Sequence, residues 1–494
     1  MHRRRGGAAG GAGAAAGLRR RSGGRRAAGT GRRGYHRRVT GRLLVVGGDA
    51  AGMTAATTAR RRDPSLEILA FERGPYTSYS ACGIPYFVAG TVESAHRLLV
   101  RSPEDFAEMG IDVRVRHEVV AVDLARRRVT VRDLDAGSER DEGFDQLGIA
   151  TGAEPISPPI PGADLIEGVR TVDAAERFRA ELEEERPGAP RIVIIGAGYI
   201  GLEMAEALVE RGLSATVVDR VSQVMRTFDP DMAAHIQSAV EDLGIEVLLE
   251  TDVEAIEHGE DGRPRRVLTS SGPLPADHVI MAVGARAVTR FAADAGLRTG
   301  TLGALVVDDH MRCPGAEGVF AAGDCVESRH RISGEMLNVQ LGTHANKQGR
   351  VVGINATGGD ATFPGVIGTA VSRICKWEVG RTGLSEEEAR RAGVHAVAAT
   401  VRDRTQAGYL PGTGPIWVKL VCEAATGRLL GGQIVGTVGA AKRIDAVAIG
   451  VWTGLSVGEL EWMDLSYAPP FSGVYDPLLV AARQAAKAAG VSVG

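Results

Sequence analysis

The chain has 494 residues, of which 44% are hydrophobic, and this length predicts a globular protein of roughly two to four domains. No uninterrupted apolar run is long enough to cross a membrane, which argues against an integral membrane protein. The five cysteines are widely spaced and form neither a disulfide framework nor a zinc motif, so we expect free thiols, no metal site and a cytoplasmic location.

The first 42 residues differ in composition from the rest of the chain. They contain thirteen arginines and no Asp or Glu, and subtracting these charges from the overall −3 leaves −16 for the remainder. Since it has no apolar pattern, this leader, residues 1–42, is expected to be disordered. It is either a nucleic-acid-binding arm or the product of a start site placed too far upstream. The acidic remainder offers no broad basic face, so we expect no nucleic-acid partner.

The first ordered element is a short apolar strand, Leu43–Val46, that leads through a glycine turn into an alanine-rich helix. Gly47 and Gly52 hold the first and third positions of a dinucleotide-binding glycine motif, while Asp49 stands at the middle position. The next strand ends at Glu72, whose carboxylate can accept hydrogen bonds from ribose hydroxyls. Because a carboxylate repels pyrophosphate, we expect the Asp49 side chain to turn away and cap the helix.

A second unit of the same kind is more complete. A strand, Ile192–Ile195, leads into a glycine turn and a helix, and the following strand ends at Asp219. The three motif glycines are Gly196, Gly198 and Gly201. This pattern predicts a second dinucleotide site. Asp219 favours NADH because its charge would repel a 2′-phosphate, while Arg220 leaves NADPH possible.

Two dinucleotide sites in one chain indicate that one dinucleotide passes electrons to the other. With the strand-and-turn segments 144–155 and 318–325, the chain resembles the pyridine nucleotide–disulfide oxidoreductases over nearly everything after residue 42. The resemblance implies an α/β fold with two Rossmann-like domains, for FAD and NAD(P)H, and a C-terminal α+β dimerisation domain. The implied boundaries are 43–160 and 286–363 for the FAD domain, 161–285 for the NAD(P)H domain and 364–494 for the dimerisation domain.

The same resemblance implies roles for individual cofactor-binding residues. Glu72 would bind the adenosine ribose of FAD, and Asp324 would bind its ribityl–pyrophosphate region. Tyr199 would cover the isoalloxazine ring until nicotinamide displaces it. Glu203 would lie close to the nicotinamide, the alternative being an ordinary helix carboxylate. The other implied contacts with FAD or NAD(P)H are Gly47, Ala50, Ala51, Gly52, Arg73, Ala150, Gly196, Gly198, Ile200, Gly201, Asp219 and Gly284.

Cys82 stands alone in the loop SYSACGIPY, where classical members of the family carry two cysteines five residues apart. The single-cysteine branch comprises coenzyme A–disulfide reductases, NADH oxidases and NADH peroxidases, which implies a redox thiol rather than a buried structural cysteine. One thiol can form a mixed disulfide or be oxidised to sulfenic acid. Oxidases and peroxidases carry a histidine at the position of Ala50, and alanine cannot transfer a proton, so a disulfide reductase is favoured.

Further positions resemble the coenzyme A–disulfide reductases. Tyr409 and Tyr467 match paired tyrosines that reach the thiol of the partner subunit, which implies a homodimer with composite active sites. Ser78 matches a serine four residues before the cysteine, and Arg60 and Arg61 stand where the family contacts coenzyme A phosphate. The alternatives are interface packing for the tyrosines and solvated surface charge for the arginines.

We therefore predict an FAD-dependent NAD(P)H oxidoreductase that reduces coenzyme A disulfide, or a similar small disulfide, through a Cys82–S–S–CoA intermediate. The alternatives are an NADH oxidase or peroxidase of the same branch, and a flavoprotein that passes electrons from NADH to a protein partner. The substrate stays open between coenzyme A, another small thiol and a persulfide. We expect His344 to be a hydrogen-bonded helix residue. The other cysteines are expected to be packing residues, namely Cys313, Cys325, Cys375 and Cys422.

Overall fold

The computed structural model describes residues 41–184 and 188–491 of the chain. The predicted Arg-rich leader lies outside the described residues up to position 40, and its last residue, Arg42, already begins the first strand. None of the described helices is both long and apolar enough to span a membrane.

Strands and helices alternate through most of the chain, and antiparallel strands dominate its C-terminal part. Up to residue 183 the elements are β1 (Arg42–Val46), α1 (Ala50–Arg62), β2 (Glu67–Phe71), α2 (Ile84–Ala89), α3 (Pro103–Glu108), β3 (Asp112–Arg114), β4 (His117–Asp123), β5 (Arg128–Asp133), β6 (Glu139–Gly143), β7 (Gln146–Ile149), β8 (Ala153–Pro155) and α4 (Val172–Glu183). From residue 191 to 294 they are β9 (Arg191–Ile195), α5 (Tyr199–Glu210), β10 (Ser214–Val218), α6 (Pro230–Glu241), β11 (Glu246–Leu248), β12 (Val253–His258), β13 (Pro264–Thr269), β14 (Gly272–Pro275), β15 (His278–Met281), β16 (Ala285–Ala287) and α7 (Arg290–Asp294). From residue 319 they are β17 (Val319–Ala321), β18 (Ser328–Arg329), β19 (Met336–Leu337), α8 (Gly342–Asn355), β20 (Ala370–Ile374), β21 (Trp377–Gly383), α9 (Glu386–Arg391), β22 (Ala396–Arg404), β23 (Pro415–Glu423), β24 (Leu429–Gly436), α10 (Ile444–Thr453), α11 (Val457–Glu461) and α12 (Pro477–Ala488).

The first sheet is parallel and has the strand order β17–β7–β1–β2–β3. Strands β1 and β2 are apolar and buried over most of their length, as expected for central strands of a parallel sheet that is covered on both faces. Strand β17 joins this sheet from far along the chain, with Val319 opposite Leu147. Two separate stretches of sequence therefore build one sheet.

Helices α1 and α8 pack very closely beside the first sheet. A Cβ atom on Gly349 would lie 2.2 Å from the carbonyl oxygen of Ala51, and one on Gly353 would lie 2.4 Å from that of Ala55. Neither position tolerates a side chain, since each would meet backbone. The two contacts advance in the same direction along both helices, so α1 and α8 run parallel.

The second sheet is also parallel and has the order β11–β10–β9–β15. Its strand β9 is buried from Ile192 to Ile195 and leads directly into α5. An antiparallel sheet of β12, β13 and β14 follows in the chain. The short ribbon β8–β16, in which Ala153 pairs with Ala287, lies where the chain enters and leaves this region.

The third large sheet is antiparallel, with the order β20–β21–β24–β23–β22. Strands β23 and β24 coincide with the runs PIWVKLVCE and LLGGQIVG, because both are apolar and rich in β-branched or small residues. Leu420 shares a hydrophobic core with Val447 of α10 and Ala482 of α12. Val379 and Val435 belong instead to the core that contains α5. The third sheet thus packs directly on the region of the second.

A buried polar network joins these two regions. Lys419 on β23 is 4% exposed at its side chain, and its ammonium lies 3.2 Å from Asp229, 2.7 Å from Asp231 and 2.5 Å from Glu386. The Gln433 amide donates to the Asp229 carboxylate over 2.7 Å. A buried ammonium needs such partners because its desolvation is costly. The start of α6 is therefore fixed to the third sheet by matched charges.

Candidate active site

The first glycine turn joins β1 to α1 and admits no side chain. Gly47 has φ +111°, and a Cβ on it would lie 2.1 Å from the carbonyl oxygen of Ala150, while one on Gly52 would lie 2.0 Å from the carbonyl oxygen of Gly47. Ala50 and Ala51 form the start of α1, which no side chain caps in the described structure. The N–H groups of its first turn can therefore hold a pyrophosphate, which fits the predicted FAD site.

Glu72 lies directly after β2 and fixes two loops. Its carboxylate accepts hydrogen bonds from the backbone N–H groups of Gly48 and Gly74, each over 2.7 Å. Asp49 occupies the N-cap position of α1, but its carboxylate accepts from the Tyr79 N–H over 3.2 Å, so the predicted capping role of Asp49 is wrong. Burial and the Glu72 carboxylate raise the pKa of Asp49 to about 6.

Two other predicted FAD contacts lie in ion pairs. Asp324 follows β17, and its carboxylate lies 3.4 Å from the guanidinium of Arg170. Arg73 lies 3.9 Å from Glu154 and is half exposed. Sequence reasoning missed Arg170, because the two partners of the Arg170–Asp324 pair lie 154 residues apart and no local motif marks the arginine.

The second glycine turn joins β9 to α5 and repeats this geometry. A Cβ on Gly196 would lie 2.4 Å from a backbone carbonyl oxygen after β15, and one on Gly201 would lie 1.9 Å from the carbonyl oxygen of Gly196. A Cβ on Gly198 would meet nothing within 4 Å, and no side chain caps α5 in the described structure. Ile200 is 54% exposed at the start of α5, and Gly284 has φ +105° in the segment after β15. The turn therefore fits a second dinucleotide.

Asp219 lies at the end of β10, next to the second turn. Its carboxylate accepts hydrogen bonds from the backbone N–H groups of Ala197, over 2.8 Å, and Val221, over 3.3 Å. These two bonds fix the acid beside the glycine motif, at the strand end where a ribose is bound in folds of this kind.

We expect NADH to be the better reductant, with a kcat/KM about tenfold or more above that for NADPH, because the Asp219 charge opposes a 2′-phosphate. Asp219→Asn removes the charge but keeps an acceptor, so it should narrow this ratio. Steady-state kinetics with both nucleotides measures the effect, with the exposed Asp294→Asn as the control for a lost charge. A wild-type preference for NADPH would mean that Arg220 sets the choice.

Cys82 lies in a single 3-10 turn, Ala81–Gly83, directly before α2, and it is exposed. The Ser80 N–H donates to the Leu98 carbonyl oxygen over 2.8 Å. The Leu98 side chain packs on the turn so closely that a Cβ on Gly83 would lie 2.3 Å from it. The thiol is therefore held on a fixed turn rather than on a loose loop.

Three carboxylates from three segments act on the thiol. The surrounding protein partly shields the open Cys82 side chain from water, and this burial is the largest cause that raises the pKa of its thiol. The charges of Glu203 on α5, Asp324 after β17 and Asp49 in the first glycine turn raise it further. Charges from both the predicted NAD(P)H and FAD segments thus disfavour the Cys82 thiolate.

Two carboxylates on one face of α5 are held by the third sheet. Glu203 accepts a hydrogen bond from the Ser372 hydroxyl of β20 over 2.7 Å. Glu206, 5% exposed, accepts one from the backbone N–H of Cys375, which has φ +52°. Burial raises the pKa of Glu203, and burial raises that of Glu206 to about 7. Sequence reasoning missed Glu206, although its spacing of three residues from Glu203 places it on the same helix face.

Glu206 should make stability depend on pH. Its pKa of about 7 in the folded protein exceeds its ordinary 4.5, so the folded state binds this proton more tightly than the unfolded chain. The contribution of Glu206 to stability therefore falls as the pH rises from about 4.5 to about 7. Glu206→Gln cannot ionise, and we expect it to be more stable than the wild type by about 3 kcal/mol near pH 8, with no such gain below pH 4.5.

Thermal unfolding across this range, with the exposed Glu317→Gln as control, measures the effect. Identical pH dependence in the wild type and Glu206→Gln would contradict it.

Tyr199 begins α5, and its ring lies 6.5 Å from that of Phe228, centroid to centroid. The hydroxyl is buried. This places the ring beside the second glycine turn, and its role as a cover for the isoalloxazine ring stays a prediction.

The predicted substrate-binding residues are placed as follows. Ser78 has a left-handed φ of +50°, and its N–H donates to the Gly48 carbonyl oxygen over 2.8 Å. The Arg60 guanidinium donates to the carbonyl oxygens of Pro64 and Gly110, whereas Arg61 is exposed and donates to the Thr58 hydroxyl. Arg60 thus stabilises two backbone loops through its hydrogen bonds. Contact with coenzyme A stays a prediction for both Arg60 and Arg61.

The two predicted catalytic tyrosines lie on neighbouring loops of the C-terminal region. Tyr409 is 75% exposed and Tyr467 is 51% exposed. Their loops are joined by hydrogen bonds from the Ala407 N–H to the Pro469 carbonyl oxygen over 3.0 Å and from the Gln406 amide to the Pro470 carbonyl oxygen over 2.7 Å. The structure therefore brings the two tyrosine segments together on one exposed surface. Other exposed apolar side chains of the nearby chain are Trp462, Phe471, Val474 and Tyr475.

The remaining predictions concern residues outside the site. His344 lies in α8 as expected, but its Nδ1 atom is buried without a partner among the described residues, and burial lowers its pKa to about 4. Cys313, Cys325 and Cys422 are buried, as expected for packing residues, whereas Cys375 is only half-buried. A sequence pattern could not show what covers the His344 ring.

Comparison with known proteins agrees with this geometry. The family model of the pyridine nucleotide-disulphide oxidoreductases matches residues 41–349, and that of their dimerisation domain matches residues 369–478. A "NAD(P)H sulfur oxidoreductase (CoA-dependent)" of Pyrococcus furiosus is 37% identical over 86% of this chain and 94% of the relative. An "NADH oxidase" of Methanocaldococcus jannaschii is 38% identical over 87% of this chain and 95% of the relative.

Among solved structures, reduced CoADR-RHD of Bacillus anthracis superposes with a TM-score of 0.87 at 31% identity, covering 91% of this chain and 81% of that one. The overall fold is thus shared with this reductase. The chain belongs to the pyridine nucleotide-disulphide oxidoreductase family and is an oxidoreductase that uses FAD and NAD(P)H.

Proposed function

We propose that this enzyme reduces coenzyme A disulfide, or a closely related small disulfide or persulfide, with Cys82 as its single redox cysteine. The observation that carries the proposal is an exposed Cys82 thiol on a segment that is hydrogen-bonded to the first glycine turn, from the Ser78 N–H to the Gly48 carbonyl oxygen and from the Tyr79 N–H to the Asp49 carboxylate. This attachment to the predicted FAD site supports a role for the thiol in accepting electrons from the flavin. The name of the Pyrococcus furiosus protein supports a sulfur substrate and a role for coenzyme A.

FAD, when bound, carries two electrons at a time from NAD(P)H to sulfur. In the proposed cycle Cys82 begins as a mixed disulfide with coenzyme A. Two electrons break the Cys82–S–S–CoA bond, which releases one thiol and leaves the Cys82 thiolate. The thiolate attacks coenzyme A disulfide, restores the mixed disulfide and releases a second thiolate, which takes up a proton. Each cycle consumes one NADH and one proton and yields two thiols.

The residues of this chain have distinct tasks in that cycle. The 3-10 turn holds the Cys82 sulfur exposed, which supports its encounter with a small disulfide from solvent. Since three carboxylates raise the pKa of the thiol, it needs help to ionise, and only the thiolate attacks a disulfide. Tyr409 and Tyr467 of a second copy of the chain supply donors for the departing thiolate. Their exposure on one surface supports a homodimer with composite sites.

Intact mass spectrometry and an anaerobic assay test the proposal together. The FAD-loaded protein as purified, or after incubation with coenzyme A disulfide, should gain the mass of one coenzyme A per Cys82, and NADH should remove it. Under anaerobic conditions NADH oxidation should require the disulfide and yield two thiols per NADH. The absence of both the adduct and disulfide turnover would refute the proposal.

The identity to an NADH oxidase keeps that function as the second candidate. Fast oxygen consumption with NADH, no disulfide turnover and a sulfenic acid at Cys82 would establish it instead. Ala50 at the start of α1 argues against it, because alanine cannot transfer a proton.

A further inference from the structure

One arginine of the C-terminal region binds several loops at once. Arg443 is the last residue of the short 3-10 turn before α10, and only 12% of its side chain is exposed. Its guanidinium donates to the carbonyl oxygen of Thr405 over 3.0 Å and to that of Phe471. It also donates to the Gly439 carbonyl oxygen over 2.7 Å. A single side chain thus joins three separate segments of backbone.

The charge of Arg443 is matched by a neighbouring acid. The Asp476 carboxylate lies 3.0 Å from the Nε atom of the guanidinium, and 13% of the Asp476 side chain is exposed. The same carboxylate caps α12, because it accepts a hydrogen bond from the Leu478 N–H over 2.9 Å. Hydrogen bonds that involve charged groups are stronger than neutral ones, above all where water is largely excluded. The guanidinium is therefore fixed to the start of α12.

The two loops that accept from Arg443 are those of the predicted catalytic tyrosines. Thr405, which is fully buried, lies four residues before Tyr409, and Phe471 lies four residues after Tyr467. Both bonds are made to backbone, and both phenol side chains are exposed. The arginine thus restrains the two loop backbones and leaves both phenols free to contact another molecule.

We propose that Arg443 is the positioning residue of the tyrosine loops, which fixes Tyr409 and Tyr467 as a pair to the starts of α10 and α12. The hydrogen bonds between the two loops join them to each other, whereas Arg443 joins both of them to the helices. The inference rests on the proposed function in one respect, that these tyrosines serve the partner's Cys82. Arg443 itself contacts no reacting atom, so it acts only through the loops.

Arg443→Lys is the first test, in the full-length, FAD-loaded protein. Lysine keeps a positive charge next to Asp476 but has one ammonium group in place of the planar guanidinium, so it cannot bind both loops in the same way. We expect FAD content and flavin reduction by NADH to be retained. Disulfide turnover should fall roughly tenfold or more, because a displacement of about 1 Å can cost up to 10²-fold in rate.

Hydrogen exchange measures the loops without any substrate. In Arg443→Lys it should become faster in segments 405–414 and 466–472, while the first and second sheets keep the exchange of the wild type. Arg127→Lys is the matched control, because Arg127 also donates to three backbone carbonyl oxygens outside the candidate site, those of Phe144, Asp145 and Glu317. It should leave both disulfide turnover and the exchange of the tyrosine loops unchanged.

Mixed dimers separate a positioning role from general damage. In a dimer of a Cys82→Ser chain and a Tyr409→Phe, Tyr467→Phe chain, the intact site takes its tyrosines from the first chain and its thiol from the second. Arg443→Lys on the Cys82→Ser chain should therefore lower the recovered disulfide turnover about tenfold. The same substitution on the other chain should leave it unchanged, because the loops of that chain carry no tyrosine hydroxyl.

Equal losses from the two placements, or loop exchange that Arg443→Lys does not alter, would overturn the proposal. No recovered turnover in the mixed dimer without Arg443→Lys would refute the composite site, and with it any catalytic effect of Arg443. Hydrogen exchange reports on the loops alone, whereas coenzyme A disulfide turnover of the wild type tests the proposed function, so the two can fail separately.

Discussion

Cys82→Ser should retain bound FAD and lose NADH-dependent disulfide reduction by roughly 10³-fold or more, because a hydroxyl cannot form the mixed disulfide. FAD retention is expected since Cys82 lies on an exposed turn and belongs to none of the buried cores. Flavin absorbance measures cofactor content, and stopped-flow reduction by NADH shows whether the first electron transfer survives. Turnover with coenzyme A disulfide gives the loss.

Cys375→Ser is the matched control, because Cys375 is the other thiol that is not fully buried. It should keep nearly all disulfide turnover. Wild-type turnover in Cys82→Ser would disprove the redox role of Cys82, and equal losses in both variants would point to general damage.

The second large effect concerns the subunits. Replacing both Tyr409 and Tyr467 by phenylalanine should cost roughly 10²-fold in disulfide turnover, the scale of general acid catalysis, with flavin reduction by NADH spared. If the tyrosines serve the partner's thiol, Cys82→Ser chains mixed with these double variants should regain activity. Each mixed dimer contains one site with Cys82 and both tyrosines, so random exchange should restore about a quarter of the wild-type rate.

Native mass spectrometry must confirm the mixed dimers, and each variant exchanged with itself is the control. No recovery in verified mixed dimers would place the tyrosines in the site of their own chain, or outside any site.

Local sequence patterns predicted much of the fold. Strands β1 and β9 were expected within one residue of their observed bounds, because each is an apolar run that ends at a glycine turn. Resemblance to the family implied the interrupted first domain. Two features of the fold could not be predicted from local sequence patterns. They are the close packing of α1 on α8 and the ion pairs between α6 and the third sheet, and both join residues that lie far apart in the sequence.

Some residues of the candidate site could likewise be predicted from local sequence patterns, and others could not. Glu72 and Asp219 could be predicted because each ends a strand at a fixed distance from its glycine turn. Ser372 could not, since it lies 169 residues from Glu203 and its hydroxyl has no motif around it. The capping role of Asp49 was wrong because the Tyr79 N–H, on a loop that sequence alone does not position, binds its carboxylate instead.

The ammonium of Lys419 limits how freely this chain could be recombined with its relatives. A chimera that joined residues 43–363 to a foreign C-terminal domain would keep Asp229, which is 3% exposed, and lose both Lys419 and Gln433. An inherited buried acid without its cation costs several kcal/mol, on the order of 3 to 5. A foreign C-terminal domain must therefore supply counterparts of Lys419 and Gln433 wherever Asp229 is kept. The C-terminal domain is not an independently exchangeable unit, because these three residues on both sides of its border depend on one another.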